Sequence, residues 1–128
     1  MLEPGIKGKE EVKVTKENTA KALGSGELDV FATPAMVALM EKTAWKSVAA
    51  EVGEGNGTVG TLLNISHLSA SPLGANIVCE SELVEVKGRE LIFKVKAFDE
   101  KGLIGEGEHR RFVVNNEKFQ TKANNKLN

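Results

Sequence analysis

The chain has 128 residues, 41% hydrophobic and 27% charged, and its 17 basic side chains against 18 acidic ones leave a net charge of -1. That length suits one domain, residues 1–128, with a substantial core, and the balanced charge gives no electrostatic ground for expecting nucleic acid or a membrane surface as partner. Apolar runs fall far short of the roughly 20 residues of a spanning helix, and Met1-Leu2-Glu3-Pro4-Gly5 lacks the basic and apolar regions of a signal peptide, so a cytoplasmic protein is expected.

Ile6 to Val14 reads as a short strand, with Val12 and Val14 alternating against Glu11 and Lys13. Asn18 to Asp29 contains Gly24-Ser25-Gly26 and reads as a flexible connection able to serve as a lid. Thr33-Pro34 then signals a helix start: the hydroxyl can accept from an orphan backbone N–H, and proline suits the first helical position because its missing N–H would be unpaired there. The helix is expected to run to about Glu51, ahead of Gly53. Met36, Val37, Met40, Ala44 and Val48 form its apolar stripe at 3.6-residue periodicity, with Glu41 inside the stripe, Trp45 beside it, and Lys42 and Lys46 on another side.

From Thr58 onward the period changes to two, in runs over Thr58–Leu68, Asn76–Val86, Glu90–Phe98 and Leu103–Val114. The three intervening turn segments, around Ser71-Pro72-Leu73-Gly74, Lys87-Gly88-Arg89 and Asp99-Glu100-Lys101-Gly102, all read as hairpin turns, so the sheet is expected to be largely antiparallel. Glu117 to Asn128 is polar and reads as a frayed tail. The order strand, helix, four strands predicts an α+β fold in which one long helix lies on an antiparallel sheet of about five strands.

Two ionisable groups fall on apolar faces. Alternation places Val59, Thr61, Leu63, Ile65 and His67 on one face of their strand, while Glu41 lies in the helix stripe. Burying a charged carboxylate is costly unless it is paired, neutralised or functionally required. Two readings stand side by side: Glu41 and His67 as an acid/base pair, or Glu41 ion-paired with Arg110, Arg111 or His109 and His67 as a core histidine. Thr33 is likewise either a plain helix cap or a reacting hydroxyl. The lone Cys79 excludes an intrachain disulfide and a multi-cysteine zinc site, and it reads as a small buried apolar residue. The two histidines lack a paired ligand motif, so no metal is expected.

The run Phe31-Ala32-Thr33-Pro34-Ala35-Met36 with Glu41, followed by Thr58-Val59-Gly60-Thr61 leading into Asn64-Ile65-Ser66-His67-Leu68, resembles the hotdog-fold thioesterases of the fluoroacetyl-CoA thioesterase-like group, from about Lys13 to Val114. The resemblance implies a long helix wrapped by an antiparallel sheet, sheets joined between two subunits, and an acyl-CoA thioester bound at the dimer interface. It also implies a catalytic set of Thr33, Glu41 and His67, which match the group's spacing, with Gly60 near the thioester carbonyl and Arg111 as a basic residue near the site. Gly105 and Gly107 share the strand face of Arg111 and could let the helix approach closely.

The expected activity is hydrolysis of a small-to-medium acyl-CoA to free acid and CoA by a homodimer or dimer of dimers, with no cofactor beyond CoA as part of the substrate. The alternatives are a non-catalytic acyl-CoA-binding module, a hotdog hydratase or dehydratase, and a structural dimerisation domain. The group's fluoroacetyl-CoA enzyme is associated with a phenylalanine-bearing lid. Asn18 to Asp29 contains no aromatic residue, a departure that counts against fluoroacetate resistance and leaves the expectation of thioester hydrolysis unweakened.

Overall fold

The computed structural model describes residues 1–128. Five strands, β1 (Lys7–Lys13), β2 (Asn56–His67), β3 (Asn76–Lys87), β4 (Glu90–Asp99) and β5 (Gly102–Asn115), form one antiparallel sheet in the order β1-β3-β4-β5-β2. A short helix, α1 (Ala20–Leu23), precedes the long helix α2 (Thr33–Val48), which packs against the sheet. This is the expected α+β architecture.

Periodicity builds the core. Met36, Met40, Ala44 and Val48, spaced to share one face of α2, are fully buried against the inward positions Ile77, Cys79 and Leu83 of β3 and Leu91, Phe93, Val95 and Ala97 of β4. Burial also pushes the Cys79 thiol up to about 11, so it serves as a small core residue. Two glycines set how closely the helix lies. A Cβ at Gly8 would stand 2.7 Å from the Thr43 carbonyl oxygen, and one at Gly105 would stand 2.6 Å from Met36 Sδ. A Cβ at Gly107 would instead overlap the β2 backbone at Asn64. On the opposite sheet face, register aligns Lys9, Glu80, Lys96 and Glu106 across four strands, and Lys7, Glu82, Lys94 and Glu108 beside them. Opposite charges on neighbouring strands keep that face polar.

Four expectations change. Hairpins join β3 to β4 and β4 to β5, but the connection from β2 to β3 is not a hairpin: it carries the chain from the sheet edge to the far side of β4. Its Ser71 and Pro72 pair instead with the extended stretch ahead of α2, through Phe31 N–H to the Ser71 carbonyl at 2.9 Å and a Val30–Pro72 bridge. Helix α2 ends at Val48, short of Glu51, and the chain leaves in tight turns in which Glu51 N–H reaches the Val48 carbonyl.

The third change lies inside β2. Gly60 pairs with Arg111 and Leu62 with Arg110, so Thr61 is an extra residue in a β-bulge. A bulge slips the alternation by one, and the positions sharing a face with Leu63, Ile65 and His67 are therefore Gly60 and Thr58. Val59 pairs with Phe112 on the other face. Finally, the segment read as a frayed tail is helical: α3 (Asn116–Asn124) starts where the Asn115 side chain accepts from Lys118 N–H, with Glu117 in its first turn.

Candidate active site

Helix α2 delivers Thr33 in its first turn, yet Thr33 is not the cap. Ala32 holds that position without a side-chain hydrogen bond, and Pro34 follows Thr33 inside the helix. The hydroxyl is thus spared for another partner, and Thr33 Oγ1 lies 2.7 Å from His67 Nδ1. His67 closes β2 opposite Gly105, and its Nε2 is buried with no hydrogen-bond partner. Burial holds its pKa below the ordinary histidine value, with the Ser69 backbone pulling weakly the other way. A neutral imidazole beside a hydroxyl is the arrangement in which Nδ1 takes the hydroxyl proton. A cavity of about 270 Å³ opens beside the pair, walled by Ala20, Val30, Phe31, Leu68 and Ala70. The segment read as a lid therefore borders the pair, tied by Ala20 N–H to the Val30 carbonyl at 2.8 Å.

Glu41 belongs to a second cluster. Expected inside the apolar stripe, it lies on its flank: Val37, Glu41 and Trp45 follow at four-residue steps along the side of α2 next to β2, and 38% of the Glu41 side chain is exposed. The carboxylate reaches over Gly60, where a Cβ would stand 2.8 Å from Glu41 Oε2. A side chain at position 60 would displace the carboxylate, which is the local reason for glycine there.

Arg111, 5% exposed, fills the floor of this cluster. Its Nε donates to Thr58 Oγ1 at 2.7 Å, its Nη2 to the Thr58 carbonyl at 2.9 Å, and its Nη1 faces both His109 Nε2 at 3.1 Å and Glu41 Oε2 at 3.5 Å. Of the three partners considered for Glu41, Arg111 is the one in direct contact. Arg110 sits on the opposite sheet face with Glu108 and Glu90, and His109 contacts Arg111. A guanidinium only donates, so His109 Nε2 must accept and Nδ1 carries the proton, donated to the Leu62 carbonyl at 2.9 Å. Burial, then the nearby Arg111 charge, keeps this imidazole neutral. A groove of about 260 Å³ lined by Trp45, Val48 and Thr58 adjoins the cluster.

The five candidate residues thus form two groups, Thr33 with His67 and Glu41 with Gly60 and Arg111. Glu41 lies eight residue steps after Thr33, about 12 Å along α2 at the usual rise. The sequence pattern gives Thr58 no role of its own. Its signal is visible only once the bulge puts it on the Arg111 face. The structure holds no group of three or more His, Cys, Asp or Glu side chains disposed to bind a metal ion. No helix is long and apolar enough to cross a membrane.

Residues 14–117 match the family described as FlK, fluoroacetyl-CoA-specific thioesterase. The chain belongs to this fluoroacetyl-CoA thioesterase family. The fluoroacetyl-CoA thioesterase of Streptantibioticus cattleyicolor is 39% identical over 98 residues, covering 77% of this chain and 70% of the relative. A solved structure of the fluoroacetyl-CoA thioesterase FlK superposes with a TM-score of 0.92 at 32% identity, covering 98% of each chain. A thioesterase superfamily member from Thermus thermophilus reaches a TM-score of 0.89 at 24% identity over 98% of this chain and 93% of its own, which speaks to the fold alone. The hotdog fold and thioester hydrolysis of an acyl-CoA follow from membership in the family.

Proposed function

We propose that the chain hydrolyses a small-to-medium acyl-CoA in the cytoplasm as a homodimer or dimer of dimers, at a site formed by Glu41, Gly60 and Arg111 of one copy and Thr33 and His67 of a second. CoA enters as part of the substrate, and no further cofactor or metal is required. The observation that carries the composite site is the split of the candidate residues between the two ends of an unpaired edge strand. Pairing β2 with its twofold mate about Asn64 sets Leu63 opposite Ile65 and, across the bulge at Thr61, Gly60 of one copy opposite His67 of the other.

Thioester hydrolysis breaks the C–S bond, adds a water oxygen to the acyl carbon and returns a proton to the thiolate. In this reading Glu41 attacks the carbonyl or draws the proton from water. Thr33 hydrogen-bonds the reacting oxygen and His67 Nδ1, and the proton released by water reaches the leaving thiolate by way of Thr33 and His67, each of which ends in the protonation state it began with. The Gly60 main chain polarises the carbonyl, and Arg111 faces the charge that develops beside Glu41.

Mixing two inactive variants tests both halves. Glu41→Gln and His67→Asn should each lose thiol release from an acyl-CoA panel by orders of magnitude. Refolded together they should recover up to about a quarter of normal activity, because half the dimers are then mixed and one of their two sites is intact. Inactive singles whose mixture stays inactive would put the whole site within one chain. Singles that retain turnover would return Glu41 and His67 to structural roles, and hydration of an enoyl-CoA without thiol release would point to a hydratase.

A further inference from the structure

His109 is fully buried, stacks against Phe93 at a ring-centroid distance of 6.2 Å, and lies beneath Gly60 and beside Arg111 without direct contact with Glu41, Thr33 or His67. A buried polar side chain in a small core is costly unless each of its atoms is used, and here both ring nitrogens are. Nδ1–H satisfies the Leu62 carbonyl, which the bulge at Thr61 takes out of regular register, while Nε2 accepts from Arg111 Nη1.

We infer that His109 is a positioning residue for Glu41, acting through Arg111: its Nε2 holds the guanidinium back so that the carboxylate keeps a contact with the cation without being locked into a tight ion pair. The distances carry the argument. Arg111 is fixed at 2.7 and 2.9 Å to Thr58 and at 3.1 Å to His109, but stands 3.5 Å from Glu41, at the outer limit of a hydrogen bond. An untethered guanidinium beside a carboxylate closes to a shorter, often two-pronged pair that occupies the oxygen lone pairs. Those lone pairs are what an attacking or proton-abstracting carboxylate needs. The charged and titratable groups around the imidazole are Arg111 on β5 and Glu41 on α2. Thr58 on β2 and Phe93 on β4 complete the surroundings with uncharged groups.

The inference rests on Glu41 being the reacting carboxylate, and the two substitutions that divide the imidazole's functions test it. His109→Gln places an oxygen near the Nε2 position and so keeps the acceptor for Arg111. His109→Asn keeps a donor near the Nδ1 position for Leu62 and loses that acceptor. A positioning role requires kcat for acyl-CoA hydrolysis to fall less than about tenfold in His109→Gln and about a hundredfold in His109→Asn, with KM moving little in either. If His109 served only to tie down the bulge, the order would reverse, and kcat would follow the melting temperature. Equal kcat losses in the two variants would also overturn the inference.

Should His109→Asn not fold, Thr58→Val removes the Nε tether from the other side. It must then lower kcat with KM little changed, and an unaltered kcat would refute the role. Glu41→Gln in the same assay separates the two failures. Retained turnover there removes Glu41 from the chemistry, whereas a dead Glu41→Gln beside an unselective His109 pair removes only His109.

Discussion

The two edges of the sheet are built to opposite rules. Edge strand β1 has the sequence Lys7-Gly8-Lys9-Glu10-Glu11-Val12-Lys13, seven residues of which five are charged, and its Glu10 pairs with Lys42 and Lys46 of α2 at 3.8 and 3.6 Å. Edge strand β2 has twelve residues, Asn56 to His67, with no Lys, Arg, Asp or Glu among them, and Leu62 and Leu63 are about 40% exposed. A strand edge offers unpaired N–H and C=O groups to any passing strand, and charge is the common way of refusing the offer. The β1 edge refuses it. The β2 edge carries no such charge, and it is the edge that ends in His67 and bulges beside Gly60. The residues proposed for chemistry therefore gather where the chain is open to a second copy.

The strongest way to break this asymmetry is to make β2 resemble β1. Leu62→Lys with Leu63→Lys would place four ammonium groups around the twofold point of a β2–β2 pair, where like charges on opposed strands are destabilising. Light scattering should then report a monomer at micromolar concentration, and acyl-CoA hydrolysis should fall about a hundredfold or more while the fold of each copy persists. A dimer with normal turnover would show that the copies join elsewhere. The same change on β1, where charge already stands, should alter neither quantity.

A second prediction concerns the His67 end of β2. Burial holds its pKa below the ordinary value of about 6.5, so the neutral imidazole, 2.7 Å from the Thr33 hydroxyl, survives into mildly acidic solution. Turnover should fall on the acid side with a midpoint below about pH 6.5, and that limb should vanish in His67→Asn. Stability follows the same sign. His67 and His109 are both depressed, so below about pH 6.5 the unfolded chain binds more protons than the folded one, and the melting temperature should drop as pH falls through that range. His109→Gln should flatten the drop.

How far the sequence discloses this depends on the range of the forces involved. Period and turn chemistry are local, and they locate α2, the five strands and the burial of Met36, Met40, Ala44 and Val48 directly. Glu41 and His67 stand out because each breaks an apolar pattern. The bulge at Thr61 does not, because it shows only in how β2 pairs with β5: the space that Glu41 takes over Gly60 accounts for the glycine, but a strand's own alternation carries no trace of its register against a neighbour. The β2–β3 connection misleads for a similar reason. Ser71-Pro72-Leu73-Gly74 has hairpin composition, but its partner is the stretch around Val30 and Phe31, some forty residues earlier. Thr33 has the residue type of a cap, and only its 2.7 Å contact with His67 shows the hydroxyl engaged elsewhere.

On the β1 side a packing substitution should matter more than a charge. A Cβ at Gly8 would meet Ser81 Oγ and the Thr43 carbonyl at 2.7 Å and Ser47 Cβ at 2.8 Å, so Gly8→Ala must push α2 or β1 aside. Overpacking of this kind costs about 1–3 kcal/mol, readable as a lower denaturant midpoint. Because the strain lies at the edge away from β2, the oligomeric state should be unchanged.

The smallest effect is expected at Glu10. Its contacts with Lys42 and Lys46 are long, at 3.8 and 3.6 Å, and about half of each lysine side chain is exposed, so solvent screens both pairs. Exposed pairs of this kind contribute about 0–1 kcal/mol each, and Glu10→Gln should leave the denaturant midpoint almost where it was. Glu10→Leu is the sharper probe. It adds apolar surface beside α2 and should match or exceed the parent in stability, yet it removes a charge from the one edge that keeps other strands away. Concentration-dependent association beyond the parent assembly, without loss of stability, would show that the charge at β1 is retained to limit pairing. An unchanged sedimentation profile would mean that Lys7, Lys9, Glu11 and Lys13 suffice without it.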